Sequence, residues 1–317
     1  MQYVRLGQTG VRVSRLCLGT AFRAHLDEQV GVRVVARALD LGCTFIDCAN
    51  TYGGGRSERI VGQAIRGHRD DLVVATKVCS EMGRGPNDRG LSRFHVLREV
   101  ERSLTRLGTD HIDLYYLHTT DPDTPREETL RAMEDAVRQG KVRYLGASNY
   151  PAWQVADLVW QARARGWDTI RCLQDQYNLL CRRHVESQLV PVCEAYGLTM
   201  VTYSALAVGL LNGQIRRGGP VPVTAAWNPA HLERVLTPRC EHVIDAVVAI
   251  SREQACTPAQ VAIAWLLQRP CLTAPIIGPD LPEQVDEAFG ALAVELAPEQ
   301  RQRLDALSQW EEPPEYL

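Results

Sequence analysis

The chain has 317 residues, 45% of them hydrophobic and 23% charged, with a formal net charge of -3. That length can bury a large core as one barrel or as two medium domains, and no linker-like stretch argues for two. The near-neutral balance leaves no basic footprint for nucleic acid, no stretch reaches the uninterrupted apolar length of a membrane span, and the start Met1-Gln2-Tyr3-Val4-Arg5 lacks the apolar run of a signal peptide.

Residues 2 to 13 place Gly7-Gln8-Thr9-Gly10 between two β-prone runs and predict a hairpin that plugs the N-terminal end of a barrel. From Leu16 onward, short apolar runs alternate with longer segments of helical period. The strand candidates are Arg15 to Leu18, Thr44 to Ile46, Leu72 to Thr76, Ile112 to Leu117, Val142 to Ala147, Thr169 to Leu173, Thr199 to Tyr203 and Thr273 to Ile277. Between them the helical segments include Glu28 to Leu41, His95 to Leu107, Arg126 to Arg138, Ala152 to Arg165, Val185 to Tyr196 and Pro258 to Leu267, each with an apolar stripe and a charged face. This alternation predicts an α/β chain, a (β/α)8 TIM barrel with an N-terminal β-hairpin plug and extra helices, over 1–317 as a single domain. The stretch Ala205 to Pro238, rich in Gly and Pro, is too long for a simple connector and reads as a functional loop, and Cys240 to Gln254 adds a further helix. A doubly wound dinucleotide-binding sheet would need G-x-G-x-x-G after its first strand, whereas Leu18 is followed by Gly19-Thr20-Ala21-Phe22.

Ten cysteines run from Cys17 to Cys271 with no C-x-x-C pair, and several sit inside apolar runs such as Leu16-Cys17-Leu18. They read as reduced core residues and predict a cytoplasmic location. The eight histidines form no H-E-x-x-H pair, so no metal site is expected.

Reactive residues of such barrels gather at the C-terminal ends of the strands. Strand candidate two ends in Asp47, with Tyr52 just beyond and Gly53-Gly54-Gly55 breaking the backbone before a helix. In isolation that pair reads more readily as a turn-capping carboxylate and a packed ring with a wet hydroxyl. The other strand ends change the balance: Thr76-Lys77, Leu117-His118, Ser148-Asn149, Gln174 and Tyr203-Ser204 would share the same mouth. A phenol with a pKa of about 10 is a poor acid at neutral pH unless a neighbouring charge favours its anion. Lys77 beside Tyr52 would supply that charge, Asp47 would hold the ammonium, and His118 could orient a substrate oxygen or relay the proton. Such a set suits carbonyl reduction, but none of its residues can donate hydride. A nicotinamide cofactor would have to do so.

The chain resembles the aldo-keto reductase superfamily over nearly its whole length. The likeness rests on Phe45-Ile46-Asp47-Cys48-Ala49-Asn50-Thr51-Tyr52-Gly53 with Ser57-Glu58, on Ala75-Thr76-Lys77-Val78, on Asp113-Leu114-Tyr115-Tyr116-Leu117-His118 and on Gly140-Lys141-Val142-Arg143-Tyr144-Leu145-Gly146-Ala147-Ser148-Asn149. It implies an oxidoreductase that transfers hydride between NADPH or NADH and a carbonyl or alcohol substrate (aldehyde, ketone or sugar). Asp47, Tyr52, Lys77 and His118 would be its catalytic tetrad, with Tyr52 as general acid for reduction and base for oxidation. It further implies that Ser148, Asn149 and Gln174 hold the nicotinamide carboxamide, that Tyr203 stacks on the ring, and that Ser204, Leu206, Gly209 and Leu211 cradle the pyrophosphate. Gly278, Gln284 and Glu287 would meet the adenosine end. Some proteins of this kind are cofactor-binding regulatory or channel-associated subunits, which is the alternative function.

Two departures bear on specificity. Ala288 stands where the family usually has Asn against adenine. Between Ile276 and Ala288 there is no Lys or Arg, and Asp280 occupies a place where relatives often carry a basic residue, which leans the expected cofactor towards NADH unless Arg216 or Arg217 folds over from the long loop. Phe22, Arg23 and Tyr150 are candidate pocket residues, and the short tail after Leu307 predicts an open mouth.

Overall fold

A computed structural model describes residues 1–22, 27–220 and 229–310. It opens with β1 (Tyr3–Arg5) and β2 (Arg12–Ser14), an antiparallel hairpin that pairs Val4 with Val13. The βα units follow as β3 (Cys17–Gly19) and α1 (Glu28–Asp40), β4 (Phe45–Asp47) and α2 (Arg56–Ala64), β5 (Val73–Val78) and α3 (Arg93–Leu107), and β6 (Ile112–Leu117) and α4 (Arg126–Arg138). Next come β7 (Val142–Ser148) and α5 (Ala152–Arg165), β8 (Ile170–Gln176) and α6 (Val190–Tyr196), then β9 (Thr199–Tyr203). After β9 stand α7 (Pro229–Val235), α8 (Pro238–Glu253) and α9 (Pro258–Leu267), and the last strand β10 (Leu272–Ile277) leads to α10 (Pro282–Gly290) and α11 (Pro298–Ser308). Strands β3 to β10 close a parallel barrel in the order β10-β3-β4-β5-β6-β7-β8-β9.

The helices form where caps and apolar stripes agree. In α3 the Ser92 hydroxyl accepts from the His95 amide at 3.3 Å, Gly108 ends the helix in a left-handed conformation, and Val96, Val100, Leu104 and Leu107 face the strands. Where α2 meets α3, a Cβ at Gly62 would lie 2.4 Å from the Leu107 carbonyl oxygen, so only glycine permits that approach.

Two cores result. One lies between the sheet and the helices, and the other fills the barrel with Cys17, Phe45, Val73, Ala75, Leu114, Tyr116, Cys172, Val201, Ala274 and Ile276. Leu6 and Val13 of the hairpin join the inner core, and the Arg15 guanidinium donates to the Leu272 carbonyl at 2.5 Å and to those of Thr273 and Leu267. The hairpin therefore plugs the N-terminal end of the barrel, as expected.

Several boundaries move for identifiable reasons. Strand β3 begins at Cys17 rather than Arg15, because the Arg15 amide bonds back to Gln2 at 2.9 Å. Strands β5, β7 and β8 run past their expected ends to Val78, Ser148 and Gln176, since polar residues at the mouth stay in the ladder. The segment Val185 to Tyr196 divides into a wide π turn, Val185–Leu189, and then α6, where Pro191 lacks an amide to continue the bonding. Within the expected long loop the structure has a 3-10 turn at Leu210–Asn212 and α7, and residues 221–228 lie outside the described residues. The further helix expected from Cys240 is α8, capped by Thr237, whose hydroxyl accepts from the Cys240 amide at 3.2 Å.

Candidate active site

Alternation along each strand decides what reaches the mouth. In β5, Val73 and Ala75 point into the barrel, so Lys77 does too; in β6, Leu114 and Tyr116 are followed by His118; in β4, Phe45 is followed by Asp47. The same parity carries Cys172 to Gln174, Gly146 to Ser148 and Val201 to Tyr203. At Gly146 a Cβ would stand 2.3 Å from the Tyr116 ring, so the ring that closes the barrel beneath the site requires glycine opposite it.

Lys77 is wholly buried, and its ammonium lies 2.5 Å from Asp47 Oδ2, 2.8 Å from the Cys48 carbonyl oxygen and 3.4 Å from the Tyr52 hydroxyl. Burial opposes its charge, but Asp47 and Tyr52 outweigh that and hold its pKa above the ordinary lysine value. His118 stands edge-on to Tyr52, with ring centroids 5.9 Å apart at 76°. Burial first, and then the Lys77 charge, push its pKa from 6.5 to about 3, and its Nδ1 is buried without a hydrogen-bond partner. The four side chains thus meet, although they come from two strands, the first residue past a third, and a loop.

The residues expected to hold a nicotinamide lie alongside. Strand pairing sets Ser148 opposite Gln174, and the Asn149 amide donates to the Gln174 carbonyl at 3.2 Å. Asn149 is left-handed, with φ of 58°, and its side chain donates to the His118 carbonyl at 3.0 Å while accepting from the Tyr203 hydroxyl at 2.7 Å. Burial pushes the Tyr203 phenol up to about 12, so it stays a donor. Past it the chain turns sharply through left-handed Ser204, Ala207, Val208 and Gly209. Leu206 is half-buried and Leu211 fully buried, so Leu211 has only backbone to offer a ligand there. A Cβ at Gly209 or Gly278 would meet nothing within 4 Å, which leaves open space over both. Gln284 caps α10, its Oε1 accepting from the Asp280 and Leu281 amides at 2.8 Å and 3.2 Å, and Glu287 is exposed. A polar mouth with an aromatic wall, a left-handed loop and two open glycines fits a dinucleotide.

A sequence model of the Aldo/keto reductase family matches residues 15–309. The chain belongs to the aldo/keto reductase family. It is 40% identical to an uncharacterized oxidoreductase of Bacillus subtilis over 93% of this chain and 92% of the relative. It is 36% identical to a probable voltage-gated potassium channel subunit beta of Oryza sativa, covering 98% and 97%, and 32% identical to the versiconal hemiacetal acetate reductase of Aspergillus parasiticus, covering 96% of each. As a member of an oxidoreductase family with these relatives, the chain is an oxidoreductase.

Several residues of this aldo/keto reductase stand apart from their sequence expectation. Gln174 donates one amide hydrogen to Asp47 Oδ1 at 2.7 Å, so it also orients the carboxylate, and its oxygen and second N–H are left for a ligand. Phe22 and Tyr150 are each 4% exposed and belong to the outer core, Phe22 lying against Gly31; Arg23 lies outside the described residues. Asp113, although part of the β6 motif, sits at the opposite end of its strand and pairs with Arg69 at 2.6 Å and Arg143 at 3.0 Å. Arg216 pairs with Asp245 at 3.1 Å, and the Arg217 amide donates to Glu241 at 3.0 Å, tying the long loop to α8. Ala288 is buried in the core, and Trp310 donates to Glu186 at 3.2 Å, while the tail beyond it, residues 311–317, lies outside the described residues. The motifs did not reveal Glu99, a fully buried carboxylate on α3; its one signal was a charged residue on that helix's apolar face.

The His118 environment has a consequence for stability. Between pH 6.5 and about 3 the unfolded chain holds a proton on this imidazole and the folded chain does not. Its contribution is therefore present in full above pH 6.5 and declines as pH falls towards the folded value. Urea midpoints measured across that window should fall less steeply for His118→Asn than for the parent, by up to one proton. Parallel profiles would mean that the imidazole takes up its proton while folded.

Proposed function

We propose that this oxidoreductase reduces an aldehyde, ketone or sugar carbonyl with a nicotinamide cofactor and protonates the product through Tyr52. The observation that supports this best is the buried chain from Asp47 to Lys77 at 2.5 Å and on to the Tyr52 hydroxyl at 3.4 Å. When bound, the nicotinamide supplies the hydride to the carbonyl carbon. The phenol gives its proton to the oxygen as negative charge grows there, and the ammonium favours the charge left behind on the phenol. His118, neutral at physiological pH, offers a ring N–H to the same oxygen and so orients it. Asp47 and Gln174 keep the ammonium in place. Ser148, Asn149 and the Gln174 oxygen would hold the carboxamide, Tyr203 would stack on the ring, Ser204, Leu206, Gly209 and Leu211 would face the pyrophosphate, and Gly278, Gln284 and Glu287 the adenosine. In the reverse direction the same residues would take a proton from an alcohol.

The preferred cofactor in this reading is NADH. The segment from Ile276 to Ala288 has no Lys or Arg but carries Asp280, Glu283, Asp286 and Glu287. A 2'-phosphate would meet repulsion there, whereas a ribose hydroxyl could donate to a carboxylate. Arg37 of α1 does reach the segment, but it is paired with Asp286 at 2.5 Å. NADH should bind at least as tightly as NADPH, and Asp280→Arg should move the ratio towards NADPH. If NADPH binds the parent more than about tenfold tighter, roughly 1.4 kcal/mol, the preference is wrong. The ten unpaired cysteines support a cytoplasmic location, and among the described residues no helix is long and apolar enough to cross a membrane.

A second reading, a cofactor-binding regulatory or channel-associated subunit, is favoured by the likeness to two plant proteins named as probable channel beta subunits. A panel of aldehydes, ketones and sugars, assayed in both directions with each cofactor, separates the two. Turnover supports the enzyme; tight cofactor binding without turnover of any carbonyl supports the subunit.

A further inference from the structure

The Tyr52 hydroxyl is held to Lys77 by a long contact of 3.4 Å, so its position depends on the loop 48–55 that carries it. Beneath that loop lies a group of buried polar side chains with no part in the chemistry above. Asn50, fully buried, donates its amide to Glu99 Oε2 at 3.1 Å, and Arg102 donates to Glu99 Oε1 at 2.9 Å. Arg106 stands 3.4 Å from Glu99 Oε2 and also donates to Glu58 Oε2, while Glu58 Oε1 accepts from the Thr76 hydroxyl at 2.6 Å. Thr76 is the residue before Lys77. At Gly55, left-handed with φ of 91°, a Cβ would stand 2.6 Å from the Arg106 side chain, so the arginine touches the loop from below.

We propose that Glu99 is a positioning residue for the proton donor: through Asn50 it fixes the loop that carries Tyr52, and through Arg106 and Glu58 it ties that loop to the strand that carries Lys77. The proposal rests on the reading of Tyr52 as the donor. Two fully buried carboxylates are a poor device for stability alone, because apolar packing of similar volume often does as well. What they add is direction: Arg102 and Arg106 meet Glu99 from its own helix, Asn50 joins that helix to the loop, Arg106 joins it to α2 at Glu58, and Glu58 joins α2 to β5 at Thr76. Asn50 is oriented in this way although its Oδ1 is left buried without a partner, an arrangement that stability by itself would not favour. Burial works against the Glu99 charge, but Arg102, Asn50 and Arg106 outweigh it and hold its pKa below the ordinary value.

The experiment compares Asn50→Ala and Glu99→Gln in the full chain. Asn50→Ala deletes the link but leaves Glu99 its arginines; Glu99→Gln keeps an acceptor for Asn50. For Asn50→Ala, kcat should fall at least about tenfold, with substrate KM and cofactor Kd within about twofold, because a small misplacement of a catalytic group is costly to rate and not to binding. Hydrogen exchange of the amides in 49–55 should rise in the same variant. Glu99→Gln should remain closer to the parent in both. Unchanged kcat and unchanged exchange in Asn50→Ala, with only a lower melting temperature, would overturn the proposal. A parent that binds cofactor but turns over no carbonyl would sink the enzymatic reading instead, and exchange in 49–55 would still decide whether Asn50 and Glu99 fix the loop.

Discussion

Replacing Tyr52 by Phe is expected to lower kcat for carbonyl reduction by about 100-fold to 10,000-fold, the range that a positioned general acid contributes. The ring that meets His118 edge-on at 5.9 Å is retained, as is its place 4.9 Å from the Lys77 ammonium, so the pocket keeps its shape. The dissociation constant of the reduced cofactor, read by fluorescence quenching, should therefore barely change. Loss of rate without loss of binding is the signature of an interaction made only in the transition state. A variant that keeps more than half of the parent's activity on its best substrate would remove Tyr52 from the mechanism, and water or His118 would have to supply the proton.

Lys77→Met should affect both activity and folding. With Lys77 wholly buried and Asp47 3% exposed, loss of the ammonium strands a carboxylate whose remaining partner is the Gln174 amide at 2.7 Å. Breaking such a buried pair from one side costs about 3–5 kcal/mol. Because the folded pKa of Lys77 is raised, the stability from the pair is complete at neutral pH and below the ordinary lysine value, and is lost only as pH rises above it. Urea denaturation at neutral pH should show the drop, and turnover should fall by at least about 100-fold, since the phenol loses the cation that favours its anion. Adding Asp47→Asn to the same chain removes the stranded charge, so much of the stability should return while activity stays low. If Lys77→Met is as stable as the parent, the ion pair at the base of the site is wrongly assigned.

Much of this molecule was legible along the chain because strand alternation is local. Two residues beyond inward-facing Phe45, Ala75 and Tyr116 come Asp47, Lys77 and His118, and each short apolar run ending in a polar side chain marked both a strand and a mouth position. Helix limits at α4, α5 and α9 were equally readable, since caps, Gly and Pro act over a few residues. Pro191 was there to be read as well, but its effect, a π turn before α6, emerged only when the ladder was built.

What the chain order could not show depends on which strands lie side by side and at what register. Barrel closure sets Gln174 against Asp47 across 127 positions of sequence, and so makes a residue expected to meet the cofactor a brace for the carboxylate as well. The fit of the Tyr116 ring against Gly146 contributes to that register, and no local pattern announces it. Phe22 and Tyr150 were placed near the mouth by position, yet hydrophobic burial turned both into the outer core. Sequence by itself therefore determined the fold, the family and the identity of the four residues at the mouth, all of which follow from local period and motif. Only the tertiary structure showed the partners of Gln174, Asp113, Glu58 and Glu99, because a buried polar group is defined by partners that the chain brings together from other elements.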